Sequence, residues 1–414
     1  VTEEIKNNLN NPGQLEKLYR DNKTLFRKDF NLMYNDIKDN LTAQIWNERL
    51  NFDHEEISWG TKNDLTFVIV ASVLAGLIAK IPDIIGIDQE FFYTRNIPFI
   101  VFPLLTAYFS WKQSIGIKKI MTISAIMLIS LFYINFLPEN IASDTLILAC
   151  IHLPFFLWTL MGFTYTGDQF NNYQKRLDFL KYNGDLVVMT TIILIAGIPL
   201  AGVTVGLFSL IYPNMEEFYF QNVAVFGLAA SPIVGTYLVR TNPQLVNKVS
   251  PVIAKIFTPL VLITLVVYLF AVVVSGKDPY NDREFLMIFN ALLIGVMAII
   301  LFSITGTYKE SDSRFGTMLI FGLAVVTVIV NSIALSAIVF RISEWGITPN
   351  RLAVLGANIL ILTHLFLVTY QLYKTILDQR EKEKIENSIA AFLPVYSFWT
   401  IIVIFVFPVI FQFR

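Results

Sequence analysis

Residues 317–340 read TMLIFGLAVVTVIVNSIALSAIVF, and no charged side chain interrupts them. A hydrocarbon layer about 30 Å thick asks for about 20 apolar residues per helical crossing, so this run predicts a transmembrane helix. Runs like it recur near residues 65–81, 97–111, 117–137, 145–165, 186–211, 223–239, 251–274, 285–304, 352–373 and 391–413. Together they predict an all-α, polytopic bundle of about 11 spans over residues 65–414. The weakest of the set are 97–111, which is short and holds Pro98 and Pro103, and 65–81, which has Lys80 near its end.

Composition agrees. Hydrophobic residues are 55% of the 414, and the mean hydropathy is +0.59, so most of the chain needs an apolar solvent rather than a single core. The first apolar run begins near Leu65 behind a long charged segment, which reads as a span and not as a cleaved leader. A net charge of -1 argues against a nucleic-acid partner, since neutralising phosphates needs a basic face. The single cysteine, Cys150, lies inside an apolar run and reads as a small apolar filler.

Residues 1–64 are polar with helical spacing and predict a small cytoplasmic helical segment. Phe26, Phe30, Met33 and Ile37 form one stripe, and Leu41, Ile45 and Leu50 a second. Asn11 before Pro12 suits a helix start, Asp21 to Asn22 breaks that helix from the next, and Trp59 with Lys62 marks the approach to the bilayer.

Orientation follows from basic residues in alternate loops. With the N-terminus cytoplasmic, the inner loops carry Lys112, Lys118, Lys119, Lys175, Arg176, Lys181, Arg240, Lys248, Lys309, Arg314, Lys374, Arg380, Lys382 and Lys384. The outer set is poorer, with Lys80, Arg95, Lys277, Arg283, Arg341 and Arg351, and two outer loops hold only acids, Glu139 and Asp144 in one, Glu216 and Glu217 in the other. That bias predicts a cytoplasmic N-terminus, and an odd number of spans puts the C-terminus outside. Aromatic groups at Phe91 to Tyr93, Phe218 to Phe220 and Trp345 suit headgroup anchoring.

Ionisable groups within a span are functional candidates because they cost about 2.5–3.5 kcal/mol at the bilayer centre. No Asp or Glu falls mid-span, which weighs against a carboxylate relay. Lys255 sits near a helix end and can snorkel. His152 and His364 lack an acidic or cysteine partner at ligand spacing, so packing roles are expected rather than metal ligation, and no cofactor is implied. Asn290, Asn331 and Asn358 lie in separate late spans and either line a polar seam or bond between helices at about 0.6 kcal/mol each.

Two neighbouring spans are interrupted by Gly and Pro. One contains Pro199, Gly202 and Gly206, the next Gly227, Ser231, Pro232 and Gly235. Paired interruptions point to broken helices around a substrate site, or else to a kinked, closely packed pair. The candidate binding residues are therefore Pro199, Gly202, Pro232, Asn331, Asn358 and His364. A second candidate is the polar loop at 341–351, RISEWGITPNR, where Arg341, Glu344, Asn350 and Arg351 either clamp an anion or fix a turn, with Asn350 as a helix cap.

The loop RISEWGITPNR, the stretch KIFTPL at 255–260 and LPVY at 393–396 resemble a large uncharacterised family of bacterial polytopic inner-membrane proteins, a domain of unknown function. The resemblance implies a bacterial inner-membrane location and a multi-span fold over about Phe179 onward, and it carries no activity or site residue.

The leading functional expectation is a permease or flippase-like transporter of a small or amphiphilic solute. The alternatives are an enzyme acting on a lipid-linked substrate, motivated by Asp83, Asp88 and Glu90 after the first span, and a signalling or scaffold protein docking a cytoplasmic partner through Phe26, Phe30 and Trp46. Membrane lipids, a small solute or lipid-linked ligand, and a cytoplasmic protein are the candidate partners. No phosphate-cradling glycine loop, zinc-protease motif or serine nucleophile elbow is present.

Overall fold

A computed structural model describes residues 2–21, 23–52, 60–138, 143–209, 214–247, 249–275, 280, 283–307, 314–378 and 382–413. Trp59, Glu139, Lys248, Lys277, Lys309 and Arg380 lie outside the described residues, as does the side chain of Lys255. The described residues are helical with no strand, and they fall into two compact units, Val1–Trp59 and Gly60–Arg414.

The first unit holds α1 (Thr2–Asn7), α2 (Pro12–Asp21), α3 (Lys23–Ile37) and α4 (Leu41–Phe52). Asn11 caps α2 by accepting from the Gln14 amide at 3.3 Å. The stripe Phe26, Phe30, Met33 and Ile37 is buried in its core. The second stripe is corrected: Leu41 and Ile45 are exposed, and α4 instead buries Ala43, Trp46 and Leu50. Those positions recur at i, i+3 and i+7, the face that packs on the α3 aromatics, with Phe26 and Trp46 ring centroids 5.1 Å apart.

The second unit begins at Gly60, a few residues before the sequence boundary, because Thr61 and Asp64 form a capping box that makes the polar residues at 62–64 part of the first long helix. In chain order it contains α5 (Lys62–Ala79), α6 (Ile81–Ile85), α7 (Gln89–Lys112), α8 (Ile117–Phe136), α9 (Asp144–Thr166), α10 (Tyr173–Ser209) and α11 (Met215–Phe218). There follow α12 (Val225–Thr241), α13 (Gln244–Asn247), α14 (Val249–Ser275), α15 (Arg283–Thr307), α16 (Arg314–Trp345), α17 (Pro349–Leu377), α18 (Lys382–Ile401) and α19 (Phe407–Ile410). Among the described residues, 8 helical segments are long and apolar enough to cross a membrane: α5, α8, α9, α10, α12 with the turn before it, α16, α17, and α18 with its continuation. The chain is thus a helical membrane protein.

Close helix contacts are made where glycine meets an aromatic ring. A Cβ at Gly76 of α5 would lie 2.0 Å from the Phe226 ring of α12, and one at Gly356 of α17 would lie 2.1 Å from Trp399 of α18. Such approaches bring backbones together, which matters in lipid because packing rather than hydrophobicity drives helix association.

The two ends of the bundle follow from contacts. Lys112, at the end of α7, pairs with Asp64 at the start of α5, and Lys119 of α8 pairs with Asp168 beyond α9. Arg240, at the end of α12, sits 5.7 Å from the Tyr165 ring near the end of α9. These groups mark one end, called here the Lys112 end. The opposite end carries Arg95, Asn135 and the start of α9, where the Ser143 hydroxyl donates to the Phe413 carbonyl at 3.0 Å. The unit therefore starts at the Lys112 end and finishes at the other.

Candidate functional site

A cavity of about 970 Å³ forms a groove between α7 and α8 that is also bordered by Ile78 and Ile81. Phe92 and Ser110 of α7 both line it, and their 18-residue separation amounts to about 27 Å of helix, close to the hydrocarbon thickness. One face of α7 supplies Asn96, Phe99, Pro103, Thr106 and Ser110, spaced alternately three and four residues apart. From α8 come Ile123, Ser124, Met127, Leu128 and Leu131.

Asn96 bridges the groove to α8 about one helical turn inside one end. Its amide donates to Asn135 Oδ1 at 2.9 Å and accepts from Asn135 Nδ2 at 2.7 Å. Beside it the buried Arg95 donates to the carbonyls of Ile134 at 2.6 Å and Leu137 at 3.0 Å. These are orphan acceptors at the end of α8, so the guanidinium serves as a C-terminal cap and ties α8 to α7. Arg95 also lies 4.5 Å from the Phe91 ring. Toward the Lys112 end the helices part: α8 residues 117–126 are exposed or half-buried, and its buried residues are Met127, Ser130 and Ile134.

The groove wall is apolar apart from a line of hydroxyls. Serine and threonine in an apolar helix ordinarily bond back to a carbonyl three or four residues earlier. Thr122 does so to Lys118 at 2.9 Å, Ser130 to Ile126 at 2.8 Å and Thr159 to Phe155 at 3.0 Å. Among the described residues, Thr106, Ser110 and Ser124 have no such partner and line the groove, as does Ser114 in the turn after α7; Ser72, Thr190 and Thr369 also lack a partner elsewhere in the bundle. Thr106 is 6% exposed, and its hydroxyl oxygen is buried without a partner. An unsatisfied buried hydroxyl costs about 1–3 kcal/mol.

The residues expected from sequence lie elsewhere. Among the described residues, no heavy atom stands within 4 Å of a Cβ built at Gly197, Gly202 or Gly206, so these glycines of the α10 run do not face Pro232. Helices α10 and α12 meet instead at Gly235, whose Cβ would lie 2.9 Å from Thr190 Oγ1. The Pro232 carbonyl accepts from Thr236 at 2.8 Å.

Asn331 and Asn358 do come together, Asn331 Nδ2 donating to the Asn358 carbonyl at 3.3 Å. His364 is fully buried on another face, 3.0 Å from the Tyr396 hydroxyl and 4.5 Å from the Phe392 ring centroid. Tyr396 and His152 line a second, apolar chamber of about 440 Å³ between α9, α15, α17 and α18.

The polar loop is a turn. Arg351 donates to the carbonyls of Trp345 at 2.8 Å and Gly346 at 2.7 Å, and Arg341 and Arg351 approach the Trp345 ring at 5.3 and 5.7 Å. Gly346 takes a φ of 76°, and the cap of α17 is Thr348, not Asn350, because Thr348 precedes Pro349 and its hydroxyl accepts from the Arg351 amide. Glu344 forms no ion pair among the described residues. On the first loop, Asp83 pairs with Lys80 and accepts from Gln89, and Asp88 caps α7 by accepting from the Phe91 amide at 2.8 Å. Two of the three acids behind the enzyme reading thus have structural partners.

No family model, curated protein or solved structure matches the chain, so its geometry carries the functional reading.

Proposed function

We propose that this protein is a flippase-like transporter that moves a membrane amphiphile along the α7–α8 groove. The observation that carries it is a line of hydroxyls, Thr106, Ser110, Ser114 and Ser124, without a hydrogen-bond partner among the described residues, in a mostly apolar groove nearly as long as the hydrocarbon layer is thick. An amphiphile has both parts such a wall accommodates: acyl chains for the apolar sides and a polar head for the hydroxyls. A soluble polar solute has no use for so apolar a wall.

Eleven spans fit this reading: α7, α14 and α15 join the 8 apolar segments, and an odd number is required for a unit that starts and ends at opposite ends. The Lys112 end faces the cytoplasm, because Lys112, Lys118, Lys119, Lys175, Lys181 and Arg240 gather there. The first unit is then cytoplasmic and the Asn96–Asn135 pair is the outer bridge.

The test is reconstitution into liposomes with a headgroup-labelled fluorescent phospholipid and a membrane-impermeant quencher. Wild type is expected to expose inner-leaflet lipid to the quencher, with the rate at least tenfold lower in a Thr106→Val/Ser110→Leu variant. Protein-free rates for correctly folded wild type, across lipid compositions and with an imposed ion gradient, count against the proposal.

A further inference from the structure

A separate pocket of about 330 Å³ opens at the Lys112 end between α9, α10, α12 and the residue after α7. The first turns of α10 present Lys175, Asp178, Tyr182 and Asp185 at spacings of three and four residues, with Lys181 beside them, and Arg240 of α12 faces them. Two charges at this end are neutralised, Lys112 by Asp64 and Lys119 by Asp168. Lys175, Lys181 and Arg240 are not: among the described residues none forms an ion pair. Arg240 instead hydrogen-bonds the Tyr165 side chain and lies 5.7 Å from its ring, which orients the guanidinium and leaves part of its donor fork for another acceptor. Lys175 and Lys181 are half-buried, and Tyr182 is held by a 2.8 Å contact with Thr236 Oγ1.

We infer that this pocket binds a small phosphate ester of a polyol. The phosphoryl group suits Lys175, Lys181 and Arg240, because charge-assisted bonds to phosphate oxygens satisfy all three cations at once. Asp178, which accepts from Gln174 Nε2 at 3.2 Å, can take only donors when ionised, so its remaining lone pairs suit an ester hydroxyl. The volume accommodates an ester of a few carbons. The same chemistry is available from a free phosphate ester and from the headgroup of a phosphatidylpolyol lipid. This site is independent of the groove and of the transport reading, although Gln113 lines the pocket and Ser114 lines the groove.

The test is calorimetric titration of the full chain in phosphatidylcholine nanodiscs with glycerol 3-phosphate, and in parallel its thermal stability in nanodiscs with and without phosphatidylglycerol. Saturable binding of glycerol 3-phosphate that weakens at least tenfold in Lys181→Gln and in Arg240→Gln, but not in Lys118→Gln, supports a soluble ligand. Stabilisation by phosphatidylglycerol alone, lost in the same two variants, supports the lipid headgroup. Asp178→Asn is expected to narrow the preference for glycerol 3-phosphate over inorganic phosphate. Absence of both effects in folded wild type, or effects unchanged in Lys181→Gln/Arg240→Gln, overturns the inference. Lys175→Gln, at a half-exposed position, repeats the test should Arg240→Gln fail to fold.

Discussion

Asn96 and Asn135 exchange two side-chain hydrogen bonds, at 2.9 Å and 2.7 Å, and so join α7 to α8 near one end of the groove. Asn135 Nδ2 also reaches the Leu131 carbonyl at 2.8 Å. The pair bridges the groove without filling it.

Replacing one member strands the other amide. Asn96→Leu is expected to cost about 1–3 kcal/mol, and the double variant Asn96→Leu/Asn135→Leu less than the sum of the singles, because an apolar pair leaves no polar group unsatisfied. Thermal unfolding of the four proteins of this cycle in one detergent checks it. With the clasp gone, the lipid-translocation rate should rise rather than fall.

Gly76→Ala places a methyl 2.0 Å from the Phe226 ring, reaching as far as its Cγ. The ring cannot escape by moving its tip alone, so the α5–α12 contact must open. A loss of about 1–3 kcal/mol is expected, whereas Gly202→Ala, which meets open space, should leave unfolding unchanged or slightly improve it. The two midpoints, measured side by side, check the contrast.

Asp88 caps α7 and Asp83 is paired with Lys80. Asp88→Asn keeps a capping oxygen and is expected to leave stability and transport near wild type, while Asp88→Ala should cost about 0.5–2 kcal/mol. A total loss of activity in Asp88→Asn with intact folding would favour carboxylate chemistry in that loop.

In the first unit, hydrogen bonds from Arg20 and Arg49 hold the Glu16 carboxyl below its ordinary value. A depressed carboxylate contributes stability above its unfolded value and loses it as pH falls through the folded one, so the unit should weaken only on the acid side. Glu16 is exposed to solvent and the effect is small. An NMR titration of the Glu16 side chain should give a midpoint below the ordinary range that moves upward in Arg49→Gln.

Helix positions were legible because long apolar runs admit few other readings. Asn331, Asn358 and His364 were recognisable as polar groups within such runs, and all three are buried. Asn96 was not recognised: the run beginning at residue 97 left Arg95 and Asn96 in the preceding loop, whereas α7 starts at Gln89. Asp185 was missed alike, one residue before the run at 186–211, although α10 starts at Tyr173 and buries it. Hydropathy marks the part of a helix that lipid covers, and polar functional groups sit just beyond it. The alternating three- and four-residue spacing from Asn96 to Ser110 was the available signal, masked by Pro98 and Pro103. In the α10 run, Gly and Pro report backbone permissiveness and not what stands opposite.

The most direct measurement is photocrosslinking with a phospholipid that carries a diazirine in its acyl chain, on protein in nanodiscs, with adducts mapped by mass spectrometry. Adducts concentrated on groove residues such as Ser110, Ser124 and Met127, and depleted in Thr106→Val/Ser110→Leu, are the predicted result. Adducts spread evenly over outward-facing residues such as Phe132, Ile329 and Phe366, with none in the groove, would contradict it.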